Sequence, residues 1–109
     1  MATLVVNTDE QLTAILAERV MHWRPAPDRY LKPGRSWIPK WRFSPLTNLD
    51  DAFQLLERAG ARYTLASDTG ASVSAEVEIG ERKGRASGRS VPRVITIALA
   101  RAVGVEVDR

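Results

Sequence analysis

Residues 72–79 read Ser-Val-Ser-Ala-Glu-Val-Glu-Ile, and this octet decides the kind of fold. Val73, Ala75, Val77 and Ile79 alternate with Ser72, Ser74, Glu76 and Glu78. Successive side chains of a strand point to opposite faces, so the first set turns to a core and the second to solvent. Just upstream, residues 62–66 alternate as well, with Tyr63 and Leu65 on one face. Ser67-Asp68-Thr69-Gly70 lies between the two runs and is rich in turn formers. Together these predict an antiparallel hairpin.

Working outward, each flank of the hairpin is a helix. On the N-terminal side Asn48 is placed as N-cap, with Asp50 and Asp51 in the first turn where the helix dipole favours anions. Leu49, Ala52, Phe53, Leu56 and Ala59 form the expected buried stripe, and Gly60 ends it. On the C-terminal side residues 80–89 are rich in Gly and Arg, a loop or a frayed strand. Ser90 is the expected cap of the last helix, where Pro92 is tolerated because the first turn has no use for its missing N–H. Val91, Ile95, Ala98, Leu99 and Ala102 line one side of that helix, while Val94 and Ile97 widen it past half the circumference. Gly104 stops it, and residues 105–107 are expected to add a short strand.

Further out, Thr8-Asp9-Glu10-Gln11 has the form of a capping box, and Leu12, Ile15, Leu16 and Val20 follow at helical spacing. A first helix is predicted from about residue 9 to 21. Residues 24–36 hold Pro25, Pro27, Pro33 and Gly34, which suits a stiff exposed loop. Residues 36–43 look extended, with Trp41 and Phe43 sharing parity, but Pro39 limits them to an edge strand or two short pieces. Helices combined with an antiparallel hairpin give an α+β layered domain.

Composition narrows the chemistry. The 109 residues suit one domain, 1–109. There is no cysteine, which excludes disulfides, thiolate zinc sites and a cysteine nucleophile. The single histidine, His22, has no second imidazole with which to bind a metal, and no strand–turn–helix serine motif is present. The expected protein is therefore not an enzyme and carries no cofactor or metal. Glu76 and Glu78 are a possible acid–base pair, more simply read as a solvated strand face or as partners for Arg.

The net charge of +3 hides a strong pattern. Residues 19–42 hold seven basic groups against Asp28, and residues 82–109 seven against Glu106 and Asp108, with an acidic stretch between. Thirteen of the sixteen basic residues are Arg, which offers planar bidentate contacts to phosphate and carboxylate. A GC-rich genome would also favour Arg.

Two segments carry binding hypotheses. The run Gly84-Arg85-Ala86-Ser87-Gly88-Arg89-Ser90 feeds a helix, whose N-terminus attracts anions. Arg85, Arg89, Ser90 and Arg93 are its candidate anion ligands. It lacks a Walker ending and a dinucleotide fingerprint, and a flexible hairpin end with solvated arginines is the simpler reading. The second segment, 23–43, holds five of the seven aromatic residues interleaved with Arg and Lys. Such a mixture can stack bases or anchor a protein partner. Trp23, Trp41 and Phe43 are assigned to the core, leaving Tyr30 and Trp37 as candidates for stacking.

The chain resembles the phage ABA sandwich domain family of small phage and prophage proteins. Three stretches carry the likeness. They are Glu18-Arg19-Val20-Met21-His22-Trp23; the run from Phe43-Ser44-Pro45-Leu46-Thr47-Asn48 to Phe53, similar to a family "FSPSTNIADAW"; and the closing helix from Pro92 through Ala102-Val103-Gly104-Val105-Glu106-Val107, similar to "AICLAALKAVGVEV". The resemblance implies a three-layer helix–sheet–helix sandwich with a small antiparallel sheet, and a phage origin. It implies no activity residue by residue. The proline-rich 24–36 segment and the extra Arg of 82–93 depart from the family pattern, so a specialised role is expected there.

The expected function is a phage-encoded, non-enzymatic binder of a small anionic, nucleotide-like ligand, sequestering a host immune signal. The alternatives are a nucleic-acid-binding accessory protein and an inhibitor that binds a host protein. No apolar run reaches the ~20 residues of a membrane span, and the first residues have neither the basic start nor the length of a signal peptide, so the host cytoplasm is the expected location. Because the last helix is apolar on more than one side, a homo-oligomer is expected.

Overall fold

A computed structural model describes residues 4–6, 8–67, 70 and 72–107. In chain order it contains β1 (Leu4–Val6), α1 (Asp9–Arg19), β2 (Arg24–Pro25), β3 (Arg29–Leu31), β4 (Trp37–Pro39), a 3₁₀ turn (Lys40–Arg42), α2 (Leu49–Ala59), β5 (Arg62–Ser67), β6 (Val73–Ile79), β7 (Arg82–Gly88), α3 (Val91–Ala102) and β8 (Val105–Val107). The fold is α+β, as the element pattern requires. The strands divide into two small antiparallel sheets, β2-β3-β4 and β5-β6-β7, and a parallel pair β1-β8. They do not form one sheet between two helix layers.

Local signals account for most boundaries. Thr8 caps α1 by accepting from the Gln11 N–H at 3.1 Å, and Asn48 caps α2 by accepting from the Asp51 N–H at 3.1 Å. Asp51 also accepts from the Ser44 N–H, which fixes the loop entering α2. Gly60 ends α2 in the left-handed region at φ 65°, as a C-terminal glycine does. Ser90 holds the N-cap position of α3 but makes no side-chain capping bond. The hairpin β5–β6 forms as its alternation predicts, with Tyr63 opposite Val77 and Leu65 opposite Ala75. The Gly- and Arg-rich residues 82–88 form a complete third strand, paired along β6 from Val73–Gly88 to Ile79–Arg82. In residues 24–36, expected as a loop, the prolines are confined to turns and to edge-strand positions that proline tolerates.

Helix α3 is the centre of the molecule. Val94, Ile95, Ala98, Leu99, Ala100 and Ala102 are all buried. Their breadth suggested that a second copy was needed to cover them, but the chain covers them itself. The β6–β7 face lies on one side and α2 on another. The buried Thr96 hydroxyl donates to the Pro45 carbonyl at 2.8 Å. Helix α1 runs parallel to α3. Asp9 takes a bidentate pair of bonds from Arg93 at 3.0 Å each, and ten residues later Arg19 donates to the Val103 carbonyl.

The contact of α3 with the sheet depends on Gly84. A Cβ built there would overlap the Ala98 carbonyl oxygen and stand 2.5 Å from the Ala102 nitrogen. Helix backbone thus lies directly on strand backbone, with the Arg101 Cβ beside the contact at 2.9 Å from the same built position. Neither backbone has a flexible end that can move aside. Gly88, four residues on, is looser: its Cβ would meet only Val94 Cγ2, at 3.3 Å. Gly84→Ala should therefore destabilise the fold by about 3 kcal/mol, the upper end of overpacking costs, and lower the Tm by roughly 10 °C or more. Gly88→Ala should stay within about 1 kcal/mol of the parent. Thermal unfolding of the two variants checks this; equal losses would contradict the backbone contact.

Candidate functional site

The face of β5-β6-β7 turned away from α3 is open. The registers place Arg62, Thr64 and Ala66 of β5 beside Ser74, Glu76 and Glu78 of β6, and these beside Lys83, Arg85 and Ser87 of β7. A groove of about 750 Å³ lies over this face, lined by Thr64, Ser74, Glu76, Arg85 and Ser87 and rimmed by Ile97 and Arg101 of α3. That volume is within the range of small-molecule sites.

Glu76 organises the groove. It accepts from Arg85 Nε at 2.7 Å, and Lys83 Nζ stands 3.7 Å from its other oxygen and 3.5 Å from Glu78. Arg101 Nη1 in turn donates to the Arg85 main-chain carbonyl. Glu76 anchors Arg85 through Nε, and with the side chain 75% exposed the guanidinium remains accessible to a further partner. Three hydroxyls, from Thr64, Ser74 and Ser87, surround it. Across the face four cations (Arg62, Lys83, Arg85, Arg101) stand against two carboxylates. Such a surface can hold an anion together with a polar, hydrogen-bonding body.

The residues singled out from sequence scatter over the molecule. Arg85 lines the groove. Arg89 and Ser90 are exposed in the connection from β7 to α3, outside it. Arg93 is spent on Asp9, joining the starts of α1 and α3. Trp37 is half exposed on β4, with the Arg29 guanidinium over its ring at 4.2 Å. None of the groove's lining comes from the aromatic segment.

Tyr30 and Trp41 exchange their expected places. Tyr30 is only 2% exposed and packs with Trp23 and Phe43, ring centroids 6.2 and 5.9 Å away. It borders a smaller hollow of about 310 Å³ beside Lys40 and Trp41, but its ring offers no free face for a base. Trp41, assigned to the core, is 77% exposed. Trp41 and Phe43 would share a face only if the chain were extended from 41 to 43. The 3₁₀ turn at Lys40–Arg42 breaks that parity, turning Trp41 out while Phe43 stays in.

Thr64, Ser74, Ser87 and Arg101 were not named as ligand contacts from sequence. The first two were legible as outward positions of the hairpin. Ser87 needed β7 to be recognised as a strand, and Arg101 needed the helix's rotation on the sheet.

In comparisons with known proteins, no family model matches the chain, and no curated protein matches it either. Among solved structures it is similar to a phage protein from Bacillus cereus ATCC 14579, with a TM-score of 0.74 and 15% sequence identity. The match covers 91% of this chain and 90% of that one. At that identity the likeness is one of fold. Among the described residues no helix is long and apolar enough to cross a membrane.

The buried position of Tyr30 has a measurable consequence. Burial pushes its phenol above the ordinary value of 10.0, and the Glu10 carboxylate adds to the rise. The folded protein therefore keeps this proton at a pH where the unfolded chain has lost it. Stability should be unaffected below the unfolded value and fall as pH rises past about 10. Chemical denaturation across that range should show the fall in the parent and a flatter profile in Tyr30→Phe. Identical slopes would place Tyr30 in solvent.

Proposed function

We propose that the protein is a phage-encoded, non-enzymatic binder that holds a small anionic, nucleotide-like ligand on the open face of β5-β6-β7 and so sequesters a host immune signal. The observation that carries this reading is the groove itself, with the accessible Arg85 guanidinium among three hydroxyls. The guanidinium suits phosphate, and the hydroxyls suit ribose and base edges. Phage origin is supported by the shared fold of the Bacillus cereus phage protein. Binding without turnover is supported by the site's groups. Its carboxylate Glu76 is engaged by Arg85 and Lys83, and His22 lies elsewhere, exposed at the end of α1 beside Glu18 and Trp23.

A second reading has its own observation. Trp41 is exposed with the Arg42 guanidinium 5.7 Å from its ring, and Trp37 carries Arg29. Arg24, Lys32, Arg35 and Lys40 lie in the same segment. Paired aromatic and cationic groups are how single-stranded nucleic acids are held without sequence preference.

Calorimetry separates the two. With mono- and cyclic dinucleotides as probes, the first reading expects tight binding of a few species, returned chemically intact after denaturation. Arg85→Ala should weaken it about ten- to a hundredfold, the loss of a charge-assisted contact. Trp41→Ala should change little. The second reading expects affinity that grows with strand length, falls steeply with salt, and is lost in Trp37→Ala and Trp41→Ala instead. Hydrolysed nucleotide after incubation would overturn the non-enzymatic assignment.

A further inference from the structure

Helix α3 covers β6 and β7 but stops short of β5. On the helix side, Val77 and Ala75 are 0% and 3% exposed, whereas their partners on β5, Tyr63 and Leu65, are 47% and 36% exposed. Tyr63 touches Phe53 of α2, with ring centroids 5.8 Å apart, and Leu49, one turn before Phe53, is 41% exposed. An apolar strip of Leu49, Phe53, Tyr63 and Leu65 thus runs along the uncovered side of the sheet.

Among the described residues no strand pairs with the outer edge of β5. β5 is an edge strand of six residues, exposed along its whole length. Proteins usually protect such an edge with proline, a bulge or inward-pointing charge. Residues 63–67, Tyr-Thr-Leu-Ala-Ser, contain neither proline nor charge. The opposite edge, β7, is treated differently: Arg101 reaches across it to the Arg85 carbonyl.

We propose that β5 is the interface with a second copy of this chain, paired antiparallel about a two-fold axis at Leu65, so that two three-stranded sheets become one of six. Antiparallel pairing of a strand with itself satisfies both edges by symmetry. Residues directly opposite each other share a face, so this register sets Leu65 against Leu65 and Tyr63 against Ser67 of the second copy. Charge selects the same arrangement. Arg62 is the strand's one charged residue, and antiparallel pairing keeps the two copies of Arg62 six residues apart, roughly 20 Å. Parallel pairing would set them side by side. On the open face Thr64 of one copy comes opposite Ala66 of the other. Both line the groove, so its β5 wall becomes the centre of a floor shared by two copies. The dimer rests on the edge geometry and not on the identity of any ligand.

Light scattering on the parent chain at about 10 µM, an ordinary working range for stable interfaces, should give twice the 12.1 kDa chain mass. Leu65→Lys and Leu65→Glu should each run as folded monomers, because each sets like charges opposite one another. Mixed in equal amounts they should form a heterodimer, because Lys then faces Glu. The natural chain has no cysteine, so Leu65→Cys gives an independent readout under mild oxidation. It should cross-link to a covalent dimer, whereas Ser67→Cys, displaced from its symmetry mate, should not. A monomeric parent, single charge variants that stay dimeric, a mixture that stays monomeric, or equal cross-linking at 65 and 67 would each overturn the assignment.

Discussion

The fold depends on one close approach: the backbone of α3 resting on the backbone of β7 at Gly84. Most helix–sheet packing is separated by a layer of side chains. Here the strand has no Cβ where the helix presents Ala98 and Ala102. The shortened distance lets a single twelve-residue helix serve as the core of the domain. It is close enough to β6 to seal Ala75 and Val77, and its remaining sides are left for α2, the Pro45 loop and the Arg93–Asp9 tie to α1.

The same geometry leaves one face of the sheet uncovered. A helix held so tightly on β6 and β7 leaves their far face bare, and that face carries every outward residue of the alternating strands. The polar floor of Thr64, Ser74, Glu76, Arg85 and Ser87 is therefore a direct product of the period-two pattern that builds the core. The helix then contributes Arg101 to the rim, through a bond to the main chain of β7. Scaffold and groove are two faces of one strand pattern, so substitutions on the open face can change binding without touching the core.

Helices and hairpin were legible in the sequence because their signals are local. Caps at Thr8 and Asn48, the stop at Gly60 and the alternation of residues 73–79 each act within a few residues. What escaped was set by contacts distant in sequence. Gly84 reads as a flexible loop residue until a helix is placed against it. The buried width of α3 reads as an oligomer surface until α2 and residues 44–46 are seen to cover it. Leu49 fits the helical stripe of α2 yet is exposed at the first residue of the helix. Of the residues named as ligand contacts only Arg85 lines the groove, whereas Thr64, Ser74 and Glu76 were legible just as outward positions of the hairpin. Arg93 carries the right charge at the right helix end, but Asp9 arrives from 84 residues away to claim it. Trp41 was turned out by a 3₁₀ turn whose residues, Lys-Trp-Arg, carry no turn signature, and Tyr30 was buried by its packing against Trp23 and Phe43.

The central claim is that the open face of β5-β6-β7, and not the aromatic segment, is the binding surface. Backbone amide chemical shifts measured by nuclear magnetic resonance during titration with cyclic dinucleotides test it most directly, since they report position without any substitution. The account predicts that the largest changes fall on Thr64, Ser74, Glu76, Arg85 and Ser87. Changes centred on residues 37–42, with the sheet silent, would contradict it.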